Sequence, residues 1–110
     1  MNTALGTTIV VSKETARHLE SLPLGLADLD GKLRTLLEAE YRRRLSRYSL
    51  TNRVLRQKYG MTYEEFEAHN LVKQRGYSWE VESDAIAWET AVDGVKTMQR
   101  KLEQLLGSQE

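Results

Sequence analysis

The 110-residue chain contains no cysteine, one proline, one phenylalanine and two histidines. Without cysteine there is no disulfide, no thiolate metal site and no thiol nucleophile, and such a chain fits a reducing compartment. With Pro23 as its sole proline, long stretches can stay helical without a break. His18 and His69 lie far apart, so no H-x-x-x-H metal pair forms. No apolar run approaches the ~20 residues that span a bilayer. Met1 to Thr8 show no basic region followed by an apolar stretch, so no signal peptide is predicted and the cytoplasm is the expected location. Gly25 and Gly31 are too far apart for a phosphate loop, and no G-x-S-x-G elbow occurs. The sequence therefore offers no convergent catalytic set, metal site or cofactor site, and the expectation is a non-enzyme.

What the chain does have is a charge split along its length. Residues 41–58 carry Arg42, Arg43, Arg44, Arg47, Arg53, Arg56 and Lys58 and no acid. Residues 1–60 hold eleven bases against six acids, and residues 61–110 five bases against ten acids, so a net charge of zero conceals halves of +5 and −5. Such a chain can present opposite signs to two partners, or pair with itself end to end.

The pattern of apolar residues predicts a mainly α protein: a helical bundle or hairpin with a long central helix, a long C-terminal helix and one short N-terminal strand. Thr7-Thr8-Ile9-Val10-Val11 is unbroken β-branched sequence, which favours the strand. A lone strand needs a partner, and a second copy of the chain would supply one, so a homodimer is expected. Ser12 stands where an N-cap would, and Lys13 to Leu22 reads as a short helix stopped by Pro23. Residues 1–25 are thus expected to form a dimerisation element, and residues 26–110 a helical domain.

Leu26, Leu29, Leu33, Leu37, Tyr41, Leu45 and Tyr48 recur every three or four residues, widened by Leu36, and make one apolar stripe. Val54, Leu55 and Tyr59 continue it to Gly60, with Ser49 to Asn52 as a candidate kink. Thr62 and Glu65 form a T-x-x-E capping box that starts another helix, from Tyr63 to about Val72, burying Tyr63, Phe66 and Leu71. Ser78 or Tyr77 opens the last helix after Gly76. Its stripe is Val81, Ala85, Trp88, Val92, Val95, Gln99, Leu102 and Leu106, broadened by Ile86, Ala91, Met98 and Leu105. The stripe of residues 26–48 is its expected packing partner.

Two surfaces emerge as candidates for binding. Trp79 at the start of the last helix, with Glu80, Glu82 and Asp84, is aromatic anchor material set among acids, suited to a basic partner surface. Glu80 and Asp84 share a helix face, but without a second acidic segment they offer too few oxygens for a hard cation. Trp88 falls on the apolar stripe and is expected in the core. The second candidate is Arg42, Arg43, Arg44 and Arg47, a basic helix able to touch nucleic-acid phosphates. Against it stands an alternative in which these arginines pair with the acidic half of the same chain or of a neighbour.

The run Lys58 to Glu67 (KYGMTYEEFE), followed by Tyr77 to Glu89 (YSWEVESDAIAWE), resembles small prokaryotic antitoxin-like proteins of toxin–antitoxin modules. The resemblance covers roughly the C-terminal half. It implies a cytoplasmic protein that binds and neutralises a toxin, commonly a ribonuclease, and it supplies no catalytic residues. The N-terminal third resembles a ribbon-helix-helix unit, whose strands pair in a dimer and enter the DNA major groove. Thr7–Val11 departs from that pattern in carrying no arginine, lysine or asparagine to read bases. The favoured function is a protein-interaction module, antitoxin-like; the alternative is a nucleic-acid-binding transcriptional regulator using the basic helix 42–58.

Overall fold

Among the residues described by the structure, a computed structural model covering 6–23 and 28–107, all regular structure is helical. The five helices are α1 (Lys13–Ser21), α2 (Leu29–Tyr59), α3 (Tyr63–Ala68), α4 (Leu71–Gln74) and α5 (Trp79–Gly107). Gly25, Leu26, the expected division between residues 25 and 26, and Glu110 lie outside the described residues. No helix among the described residues is long and apolar enough to cross a membrane. The chain divides into two units, Met1–Leu36 and Leu37–Glu110.

In the first unit, the expected strand at Thr7–Val11 does not form: these residues are exposed and without regular structure. The physical reason is the one that made a partner necessary. A strand is held by hydrogen bonds to a neighbouring strand. No other extended segment is present among the described residues to provide them. Ser12 does cap α1, its Oγ accepting the Thr15 N–H at 3.1 Å. At the other end of α1 the carbonyl oxygens of Glu20 and Leu19 accept from Lys32 Nζ at 2.7 and 3.4 Å, which satisfies two of the groups a helix C-terminus leaves open. Asp28 begins α2, its Oδ1 accepting the Gly31 N–H at 2.8 Å.

In the second unit, α2 runs through Ser49–Asn52 without a break. Ser49 and Thr51 are tolerated in a helix interior, and no second helix starts there. Gly60 then ends the helix with φ +68°. α5 returns antiparallel to α2. Lys58 meets Asp84, Asn52 meets Trp88, Tyr48 meets Gly94 and Tyr41 meets Lys101. Within this unit the packing partner of α5 is therefore residues 41–59, which overlaps the expected stripe of residues 26–48 only at its end. Leu29, Leu33, Leu36 and Leu37 stay substantially exposed.

The core sits where α3 and α4 close over this helix pair. Trp88 and Phe66 are fully buried, joined by Leu55, Leu71 and Val81 with Tyr59 and Tyr63 packed alongside. Their rings contact in tilted, stacked and edge-on arrangements at 5.0–6.3 Å. The Trp88 indole N–H donates to Asn52 Oδ1 at 2.8 Å, so burying this residue strands no polar atom. The capping box forms as expected: Thr62 Oγ1 accepts from the Glu65 N–H at 3.1 Å and the Thr62 N–H donates to Glu65 Oε1 at 2.8 Å. The helix it starts is shorter than expected. Asn70, with φ 52°, interrupts it and divides α3 from α4. Asparagine tolerates this left-handed backbone better than most residues, and the break lets both Phe66 and Leu71 point inward. Further along α5, Ala91, Met98 and Leu102 are buried, and Gly94 brings the α5 backbone against the Tyr48 ring.

Candidate partner-binding site

The start of α5 is set by a strained turn. After α4, the Tyr77 N–H donates to the Val72 carbonyl at 2.8 Å and the Gly76 N–H to that of Lys73 at 3.0 Å, a Schellman-type closure. Gly76 takes φ +69° without penalty, but Tyr77 takes φ 54°, a costly conformation for a bulky residue. Ser78 Oγ then accepts the Val81 N–H at 3.3 Å and opens α5. The turn leaves two aromatic side chains in solvent: Tyr77 at 58% and Trp79 at 83% exposure. On α5, Ile86 shares the outward side of Trp79, since seven residues make about two turns, and it is 68% exposed. The sequence had placed Ile86 on the margin of the buried stripe; it lies beyond that margin.

The three acids of this site divide by role. Lys58 Nζ donates to Glu80 Oε2 at 2.7 Å and to Asp84 Oδ2 at 2.6 Å, and the Tyr59 hydroxyl donates to the same Asp84 oxygen at 2.6 Å. Asp84 is thus a structural clasp between α2 and α5, not a free contact. Burial pushes its carboxyl up, but the bonds from Lys58 and Tyr59 outweigh burial and hold it below its ordinary range. The bond to Asp84, then that to Glu80, raises the Lys58 ammonium despite opposing desolvation. Burial first, and the bond to Asp84 second, pushes the Tyr59 hydroxyl up to about 12. The Lys58 ammonium is the cation that Glu80 and Asp84 hold, and no group of three acids or histidines fit for a metal ion occurs among the described residues. Glu82 remains exposed and makes no ion pair among the described residues. Left in solvent at this end of α5 are Trp79, Tyr77, Ile86 and Glu82, together with most of the Glu80 side chain. The chain matches no protein-family model, no curated protein and no solved structure.

The basic candidate is arranged differently from the expectation. Arg42 Nε donates to Glu38 at 2.8 Å, Arg43 to Glu40 at 2.7 and 2.9 Å, and Arg44 to Glu40 at 2.7 Å. Pairing happens within α2, with two acids just upstream of the acid-free tract, and not with the acidic half of the chain. Sequence reasoning missed these acids because they precede Tyr41, although the i, i+3 and i, i+4 spacings were on view. Hydrogen bonds from Arg43 and Arg44 pull the Glu40 carboxyl down to about 2. Arg47 has no ion-pair partner among the described residues. Arg42, Arg43 and Arg44 are consecutive, so on a helix they radiate about 100° apart and do not form one phosphate-facing stripe. An open cleft of about 420 Å³ is lined by Arg53, Arg56, Gln57, Gly60, Met61, Thr62 and Glu65, and so includes the later part of the basic helix 42–58 but none of Arg42, Arg43, Arg44 and Arg47.

Proposed function

We propose that this protein is a non-catalytic binding module, antitoxin-like in role, that neutralises a partner protein by covering a basic surface with the start of α5. The observation that carries the reading is Trp79: a large aromatic side chain at 83% exposure, flanked by carboxylates and standing on a turn strained at Tyr77. The core gains nothing from it, whereas an exposed aromatic ringed by charge is what a binding hot spot is made of. Glu82 and the outer side of Glu80 provide the sign that a basic ribonuclease-type surface would seek. Trp79, Glu80 and Glu82 carry the contact in this reading, and Asp84 holds the scaffold behind them.

The test is genetic and biochemical together. The product of an adjacent open reading frame, toxic alone, is expected to be rescued by this chain and to co-purify with it. Trp79→Ala with Glu82→Lys is expected to abolish both while leaving the helix content unchanged. Asp84→Lys would be a poor probe, since it breaks the clasp with Lys58. A wild-type chain that neither rescues nor binds any such neighbour ends the proposal. Nucleic-acid binding through Arg42, Arg43, Arg44 and Arg47 draws less support, because three of the four are paired along α2 and point in different directions. Salt-sensitive retention on duplex DNA, lost on Arg43→Glu with Arg47→Glu, would reverse that preference.

A further inference from the structure

The backs of α2 and α5 carry complementary ridges. On α2, Arg43, Arg47, Leu50 and Val54 follow one another at spacings of four, three and four, and the two apolar members are 50% and 51% exposed. On α5, read in the opposite direction, Asp93, Glu89, Ile86 and Glu82 follow at spacings of four, three and four, with Ile86 68% exposed and the three acids in solvent. The first ridge lies in an acid-free stretch and the second, residues 79–95, in a stretch without a base. Two helices laid antiparallel have the same rise per residue, so they would bring Leu50 level with Ile86, Arg47 with Glu89, and Arg43 with Asp93. Val54 then falls beside Glu82, and Trp79 extends past it over Gln57.

We propose that a second copy of this chain occupies each ridge, the α2 back of one molecule seating on the α5 back of the next. Apolar contact centred on Leu50 and Ile86 would be flanked on one side by two ion pairs, Arg47 with Glu89 and Arg43 with Asp93, and the matched signs fix direction as well as register. Arg43 can turn to Asp93 at little cost, since its present bond to Glu40 is an exposed one and Arg44 keeps Glu40 paired. The ridges cannot satisfy one another inside one molecule. Tyr48 and Trp88 face the α2–α5 seam, and at about 100° per residue Leu50 and Ile86 each lie about 160° round from them. The ridges therefore face opposite ways, and for the same reason two copies cannot close on each other. The contact is heterologous, and assembly extends head to tail as concentration rises. It differs from the strand-paired dimer expected at Thr7–Val11. It uses the outward side of α5 that carries Trp79 but does not require the proposed partner to exist.

Sedimentation equilibrium on the full chain tests this. Between about 10 μM and about 1 mM, at about 50 mM salt, the mean mass should climb past two copies and should fall back toward one at about 500 mM salt. Arg43→Glu with Arg47→Glu, and separately Glu89→Lys with Asp93→Lys, should each give a monomer of unchanged helicity. Mixing the two variants in equal amounts should restore assembly, because the reversed α2 ridge of one then matches the reversed α5 ridge of the other. Should a charge variant fold poorly, Leu50→Ser with Ile86→Ser should lower the mass without altering any charge. A wild type that is monomeric throughout, a mass that stops at two copies, or reversed variants that assemble like the wild type would overturn the proposal.

Discussion

Trp79 and Trp88 stand nine residues apart on one helix, one 83% exposed and the other completely buried. The helical repeat alone separates them: nine residues turn the direction by about 180°. Around Trp88 the indole N–H is satisfied and the rings of Tyr59, Tyr63 and Phe66 interlock with its own; around Trp79 there is solvent and carboxylate. The same residue type thus stands in two separable settings, one holding the helices together and the other left to solvent, where the proposed contact would be made. If that division is right, substitutions should split cleanly into those that cost stability and those that cost association.

The largest expected effect is on the buried side. Trp88→Ala removes the centre of the aromatic cluster and frees Asn52, and should cost about 3–5 kcal/mol, read as a lowered urea midpoint. A loss below about 1 kcal/mol would mean that the cluster does not organise the fold. Next comes Gly94→Ala. A Cβ there would collide with the Tyr48 ring. The net loss should be about 1–2 kcal/mol, overpacking outweighing the gain in helix propensity. In a Tyr48→Ala background the same change should become neutral or stabilising, which a double-mutant cycle would record.

A smaller, pH-dependent effect is expected at the clasp. The Asp84 carboxyl titrates lower in the folded chain than in the unfolded one, so its stabilisation is complete above the ordinary carboxylate range and is lost as pH falls through the depressed value. Glu40 and Glu65 share that acid limb, also being pulled down in the fold, by bonds from Arg43 and Arg44 and from Thr62 respectively. Asp84→Asn should therefore lower the urea midpoint near neutrality and flatten, without abolishing, its fall in acid. The smallest change in stability belongs to Trp79→Ala, within about 0.5 kcal/mol, though rescue and co-purification should disappear. A large destabilisation by Trp79→Ala would erase the contrast between the two tryptophans.

Much of the buried side was legible in the sequence, because local rules determine it. Thr62-x-x-Glu65 announces a capping box, Gly60 and Gly76 mark helix ends, and Trp88 lies on a stripe with the right repeat. What the sequence concealed depends on three-dimensional register. The leucines from Leu29 to Leu37 repeat as well as those that are covered, yet they stay exposed, because a repeat reveals an apolar face without revealing what covers it. Ile86 looked like a stripe residue because a repeat cannot tell the margin of a buried face from the back of the helix. Thr7–Val11 has strand propensity without a strand to join. Lys58 was counted with the basic tract, although it is the residue that binds the two acids of α5. Of the acid-rich site, Trp79 and Glu82 are exposed, whereas the bonds of Asp84 to Lys58 and Tyr59 could be recognised only once α2 and α5 had been placed side by side.

The difference in exposure between Trp88 and Trp79 also gives the protein two built-in optical reporters. Trp88, sealed among rings, should emit at short wavelength and resist quenching by iodide. Trp79 should emit at long wavelength and be quenched readily. A single ultraviolet experiment can therefore follow the interior and the outer surface separately, with no label attached to either.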